Sequence, residues 1–208
     1  MPVTLAQSLA DRAAKARARL GRCDLCALDC RVDRLAGERG ACRLDGRAFW
    51  LREALVFGIE LELLPAHCIY LSGCGMRCAY CNVMDWVEQP LQGHPWDADL
   101  LAERVVQRRS EGTRTLLFVG GEPTVNLPAI LDLLSRLDDP PPVGWDSNML
   151  LSPASRRLLE GVVNGYGADV KFGNDACARR IGGVTHYLER LEENLRFAER
   201  TARLIVRH

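Results

Sequence analysis

The chain has 208 residues, 48% of them apolar and 26% charged, and its 27 basic side chains balance 27 acidic ones. A dedicated nucleic-acid binder carries a basic excess that is missing here, no run of eighteen apolar residues could span a bilayer, and the N-terminus lacks the apolar centre of a secretory signal. The length buries one full core with room for a small appendage. We therefore expect a cytoplasmic protein whose partners include neither nucleic acid nor membrane.

In chain order, residues 1–22 read as an amphipathic helix, with Leu5, Leu9, Ala13, Ala16 and Leu20 on one face. Thr4 and Gln7 form a capping box at its start. Residues 23–63 are a cysteine-rich module and a connector. The stretch "CDLCALDCRVDRLAGERGAC" is short on apolar residues and rich in turns, so it needs a staple. Cys23, Cys26, Cys30 and Cys42 offer one: clustered thiols in a reducing compartment mean metal more often than disulfide. Four thiolates suit structural zinc and equally an iron–sulfur cluster, and scattered buried cysteine is the bland alternative. "FWLREALVFGIELELL" (49–64) reads as extended chain, with a hairpin as one arrangement.

From residue 64 onward apolar runs alternate with helical patterns. The runs are 68–73, 115–121, 142–148, 165–171 and 202–208. Asp97 and Asn126 are candidate caps for the helices that follow them, Ser152-Pro153 opens another, and the last runs through Leu188, Leu191 and Leu195. Continuous apolar strands alternating with helices argue for an α/β fold with a parallel sheet covered on its faces, here about five strands of a partial (β/α) barrel. The chemically capable residues follow the strands: Cys74, Cys78 and Cys81, then "GGEP" (120–123), "DSN" (146–148), "DVK" (169–171) and "RH" (207–208). Loops at the carboxyl ends of parallel strands converge, so this rim is the expected active site.

Three thiolates in "CGMRCAYC" leave one position of a four-ligand metal open. A cubane bound by three cysteines keeps one iron without a protein ligand. A zinc knuckle completed by His67 or Cys68 is the plainer alternative.

The spacing Cys-x3-Cys-x2-Cys with Tyr80 before the last cysteine, together with GGEP, resembles the signature of the radical S-adenosylmethionine (radical SAM) superfamily. With "GGEPTVNLPAIL", "DSN", "DVKFGNDACARR" and "IVRH", residues 67–208 look like the branch related to pyruvate formate-lyase activating enzyme. That resemblance implies an oxidoreductase with a [4Fe-4S] cluster at Cys74, Cys78 and Cys81. It would cleave S-adenosyl-L-methionine reductively to a 5′-deoxyadenosyl radical, which abstracts hydrogen from a protein, peptide or small molecule. It also implies a reductant such as flavodoxin or ferredoxin, and in an activating enzyme a protein substrate.

Gly120 and Gly121 would free backbone to approach the methionine ammonium, and Glu122 would support that loop or the charge. Tyr80 would offer a face to adenine. Asp146, Ser147, Asn148 and Asp169 would lie near the cofactor, the two acids with a monovalent cation, while Arg207 and Lys171 would meet a carboxylate or ribose. Helix capping is the alternative for Asp146 and Asp169, and a solvated strand end for Lys171. A non-catalytic metal-binding or electron-transfer protein is the rival class; it has no use for a cofactor pocket.

Cys177 reads as a buried helix cysteine, His94 as a loop residue and His186 as helical, none with an assigned role. Trp86 and Trp96 flank the loop after the cysteines, as packing or as its cover. Members of the resembling branch continue past the fifth strand, so a truncated form is one expectation. The other is a last strand covered by the N-terminal helix, by residues 48–63 or by a partner chain.

Overall fold

The computed structural model describes residues 5–58 and 63–208. Thr4 of the capping box, and the tail of the expected hairpin at residues 59–62, lie outside them. Helix α1 is Leu5–Ala18. Strand β1 (Phe49–Val56) and strand β2 (Ala66–Leu71) follow. After β2 come the short helix α2 (Met84–Glu88), the two-residue β3 (His94–Pro95) and helix α3 (Ala98–Ser110). The remaining pairs are β4 (Thr115–Gly120) with α4 (Leu127–Ser135), and β5 (Val143–Ser147) with α5 (Pro153–Leu159). Strand β6 (Gly165–Asp169) leads into α6 (Asp175–Gly182), α7 (Tyr187–Thr201) and β7 (Arg203–Arg207).

One seven-stranded sheet has the order β3-β1-β2-β4-β5-β6-β7. The five strands β2, β4, β5, β6 and β7 are parallel neighbours, as the apolar runs foretold. The fold is thus α/β, a largely parallel sheet flanked by helices and consistent with an incomplete radical SAM barrel. Among the described residues, strand β1 runs antiparallel to β2, pairing Val56 with Ala66 and Trp50 with Leu71. That register places it between β3 and β2, away from β7, and α1 packs on α4. Leu63, from the end of the expected cover, lies in the small cluster against which Ile205 of β7 packs.

The two faces of the sheet differ. Ile69, Leu71, Leu116, Phe118, Val143, Trp145 and Tyr166 point to the helix-covered face and join the main core. That core includes Leu9, Ala13, Ala16 and Leu20 of the N-terminal segment, the face read from the periodicity. The other face carries a smaller cluster of Leu63, Ala66, Cys68, Leu117 and Val119. Alternation along each strand assigns the faces.

Two of the three expected caps form: Asp97 accepts from the amides of Asp99 and Leu100, and Ser152 from Ser155. Asn126 does not cap α4. Its side-chain amide donates instead to Ser72 O at 2.9 Å and Glu122 O at 3.4 Å, tying α4 to the loop after β2. His186 precedes α7 in a left-handed conformation (φ 50°) rather than lying within it, and Cys177 is half-buried rather than buried. Trp86 is partly exposed on α2. Trp96 is half-buried, with its amide on Ala48 O at 3.0 Å.

Candidate active site at the carboxyl ends of the strands

Strand β2 ends at Leu71 and β4 at Gly120, adjacent and in register. The chain turns sharply after each, and the turns touch. Gly120 has φ +110°, and a β-carbon there would lie 2.5 Å from Leu71 N and O. A β-carbon on Gly121 would collide with the carbonyl of Gly73, itself at φ +78°. Only glycine serves here, because φ is positive at Gly73 and Gly120 and no room exists for a side chain at Gly121. The Gly121 amide donates to Leu71 O at 2.8 Å, closing the joint between the cysteine loop and the GGEP turn.

Glu122 is 2% exposed and organises the floor. Its carboxylate accepts from Thr124 N at 3.0 Å, Ser147 Oγ at 2.9 Å and Asn148 N at 3.0 Å, so it links β4 to the end of β5. Burial pushes its carboxyl above the usual range, while those donors pull the other way. Glu122 thus ties the GGEP turn to the end of β5. Ser147 and Asn148 are also buried. The Ser147 hydroxyl accepts from Met149 N, and the Asn148 side chain donates to Cys74 Sγ at 3.6 Å.

Cys74 and Cys78 are buried and Cys81 is half-buried. Burial raises the Cys74 thiol, and Glu122, Cys78 and Cys81 add to the rise, which puts the three thiols within electrostatic reach of one another. Cys78 is likewise raised by burial, with Lys171 opposing. A positive partner or a metal is what turns such thiols into thiolates.

The next strand ends carry a charge network. The Arg207 guanidinium bridges Asp146 and Asp169, its Nε reaching Asp169 Oδ1 at 2.9 Å. Burial works against the Arg207 charge, but the two carboxylates outweigh it and hold its pKa above the ordinary value. Lys171 Nζ lies 2.8 Å from Asp169 Oδ2. Gly167 makes space for the network: a β-carbon there would sit 3.3 Å from Asp146 Oδ1 and 3.7 Å from Arg207 Nη2. The two acids are ion-paired across three strands and cap no helix. Tyr80 is 57% exposed, with its hydroxyl on Lys171 O at 3.1 Å and its ring 6.0 Å from Phe172.

His67 does not join the cysteines. It is 1% exposed and bonds Glu53 at 2.7 Å, with Arg108 on the same carboxylate. Cys68 belongs to the smaller cluster on the other face, so neither completes a zinc knuckle. Among the described residues, no three His, Cys, Asp or Glu side chains stand close enough to hold one metal ion. A cluster makes another demand, one iron for each thiolate, so its ligands stand around a body rather than a point. Three neighbouring thiols on a single loop, beside a glycine cradle that any β-carbon would fill, fit that demand. Sequence reading missed Asn126 and Gly73; a glycine ahead of the first cysteine is the one signal that pointed there.

Residues 68–202 match the family described as the Radical SAM superfamily. An uncharacterized protein of Methanocaldococcus jannaschii, MJ0674, is 34% identical over 192 residues, covering 89% of this chain and 56% of that protein. The chain thus spans about half the length of this curated relative. Among the described residues no helix is long and apolar enough to cross a membrane.

Proposed function

The chain belongs to the radical SAM superfamily, and from that premise we propose that it is an enzyme of the activating-enzyme type, acting through Cys74, Cys78 and Cys81. These three would hold a [4Fe-4S] cluster whose fourth iron is left for the amino and carboxylate groups of S-adenosylmethionine. Loaded, the site supplies one-electron cleavage of the sulfur–C5′ bond, giving methionine and a 5′-deoxyadenosyl radical that removes hydrogen from a substrate.

The chain's own residues position and protect. Gly120 and Gly121 present backbone without intervening side chains, and the buried Glu122 fixes that turn through Thr124, Ser147 and Asn148. Asn148 donates to Cys74 Sγ and so ties the first ligand to the end of β5. Tyr80 presents an exposed aromatic face for adenine. Asp146, Asp169, Lys171 and Arg207 form a rim of alternating charge suited to a zwitterion or a ribose, with the acids also open to a monovalent cation. A reductant such as flavodoxin or ferredoxin would supply the electron. The substrate is a partner protein, as for a glycyl-radical activase, or a peptide or small molecule.

The supporting observation is the meeting of the cysteine loop, the Gly120-Gly121 turn and the Arg207 network on one rim of five parallel strands. The test is anaerobic reconstitution with iron and sulfide, then dithionite and S-adenosylmethionine. Methionine and 5′-deoxyadenosine are expected in equal amounts, and their absence from fully loaded protein overturns the reading.

A further inference from the structure

Residues 23–46 carry more than their own fold explains. The backbone holds three non-glycine residues in the left-handed region within fifteen positions: Asp29 (φ 47°), Arg31 (φ 57°) and Arg43 (φ 60°). Each such residue is strained and persists only where its surroundings over-determine it. Local turns supply part of that constraint, and two of them close on cysteines: Asp29 N donates to Cys26 O, Arg31 N to Cys23 O and Arg43 N to Gly40 O. Beyond these the segment has one isolated bridge, Cys26 with Leu151.

The four cysteines sit where the strain is. Cys26 packs against the small cluster that contains Cys42, and Cys30 Sγ lies 3.9 Å from Cys23 O. A β-carbon at Gly40 would strike Cys30 Sγ, so the chain leaves that sulfur a space which any side chain would fill. The Arg34 side chain is 2% exposed, with Nη1 4.0 Å from Cys23 Sγ, and it also binds Asp45 O and Val125 O.

This segment leans on the loop that carries the other cysteines. A β-carbon at Gly73 would meet Leu44 Cδ1 at 2.6 Å and Cys42 O at 3.2 Å, and one at Gly75 would come within 4.0 Å of Cys26 Sγ after striking Leu28. Arg77 Nη2 donates to Ala41 O at 3.1 Å. From the far side, Ala27 N donates to Leu150 O at 2.7 Å and Ser155 Oγ to Leu25 O at 2.6 Å, so the turn after Asn148 is held by the same residues.

We propose that Cys23, Cys26, Cys30 and Cys42 hold a second iron–sulfur cluster, and that loading it fixes the loop of Cys74, Cys78 and Cys81. A cluster fits better than one zinc ion, since no three of these thiols stand together as a tetrahedron requires, whereas separate irons let ligands stand apart. The four thiolates complete the set of attachments that the strained turns require. The brace then passes through Gly73, Gly75 and Arg77 to the first ligand loop. The site itself stands without the proposed function; its effect on the second loop rests on that reading.

Two measurements test it on the full chain, prepared anaerobically. The variant with Cys74, Cys78 and Cys81 all replaced by Ala should keep about four irons and as many sulfides, the complement of one cubane. Zinc in their place, or neither metal, overturns the site. In the second, Gly75→Ala presses a methyl group against Leu28 beside Cys26 without removing a ligand. Hydrogen exchange at residues 73–81 should rise by about tenfold or more while the iron of the first site stays bound. Cys26→Ser with Cys42→Ser should raise exchange at 73–81 and at 148–152 together. If that double variant does not fold, Gly75→Ala decides; unchanged exchange there overturns the coupling. A chain that keeps the second site's iron yet never cleaves S-adenosylmethionine loses the proposed function and retains this site.

Discussion

The two faces of the sheet are built from the same strands and spend their residues differently. One face meets the helices with Ile69, Leu71, Phe118, Trp145 and Tyr166, all nearly or fully buried. The other offers Ala66, Cys68, Leu117 and Val119, small or aliphatic, and then gives way at the rim to Asp146, Gly167, Asp169 and Arg207. Period-two alternation lets one strand serve cohesion on one side and a site on the other. The glycines on the second face mark where volume has been withheld. Substitutions on the helix-covered face should therefore register in stability, and those at the rim in ligand handling.

The sharpest break between the two would come at Cys74. Cys74→Ala should drop S-adenosylmethionine cleavage to background, a loss on the order of a thousandfold or more, with the melting temperature of the metal-free chain moved little. Cleavage surviving in that variant would merge the two faces. Trp145→Ala should do the reverse, costing about 3–5 kcal/mol in denaturant unfolding by leaving a cavity, with iron content at the rim preserved where the protein is folded.

Glu122→Gln crosses the boundary. Its three donors would face an amide with one acceptor instead of a carboxylate with two, so a loss of about 1–3 kcal/mol is expected together with weaker ligand binding. A change in binding alone would mean that Glu122 serves the ligand and not the turn. Asp169→Asn should be milder, weakening S-adenosylmethionine binding by about threefold to thirtyfold with stability within about 1 kcal/mol. Unchanged affinity with lost stability would make the Arg207 network purely structural.

The smallest effect concerns pH and the helix-covered side. Burial holds His67 below its ordinary value of 6.5, with Glu53 opposing. A histidine lowered on folding binds fewer protons in the folded state, so its contribution is full above 6.5 and lost as pH falls from there through the lower folded value. Melting temperatures between pH 8 and 5 should fall less steeply for His67→Gln than for the parent chain. Equal slopes would assign the acid sensitivity elsewhere.

The five parallel strands were legible because each is a run of apolar residues flanked by glycine or a cap, and the rim because its polar residues follow those runs. Strand β3, which takes in His94 from what reads as a loop, was not. Asp97 and Ser152 cap as their local sequence dictates, since a cap is a short-range bargain between neighbours. Asn126 has the same local credentials and is drawn off by Ser72 O, a partner 54 positions away. Likewise nothing local tells that Arg207 will lie between Asp146 and Asp169, or that β1 will pair with the outer edge of β2. That Glu122 would support its loop was legible, but its partners Ser147 and Asn148 were not, because they come from the end of another strand. Short-range chemistry is written in the sequence, while pairings across the sheet wait for the fold.

The rim's charges have a consequence for how a ligand is found. Asp146, Asp169, Lys171 and Arg207 sum to zero, as does the whole chain at 27 charges of each sign. Such a set has a strong field within a few ångströms and little beyond a screening length of about 8 Å at physiological ionic strength. Encounter with a small zwitterion should then proceed by unaided diffusion, and added salt should alter its association rate very little. A protein partner would face the same indifference at long range and would be recognised only on contact.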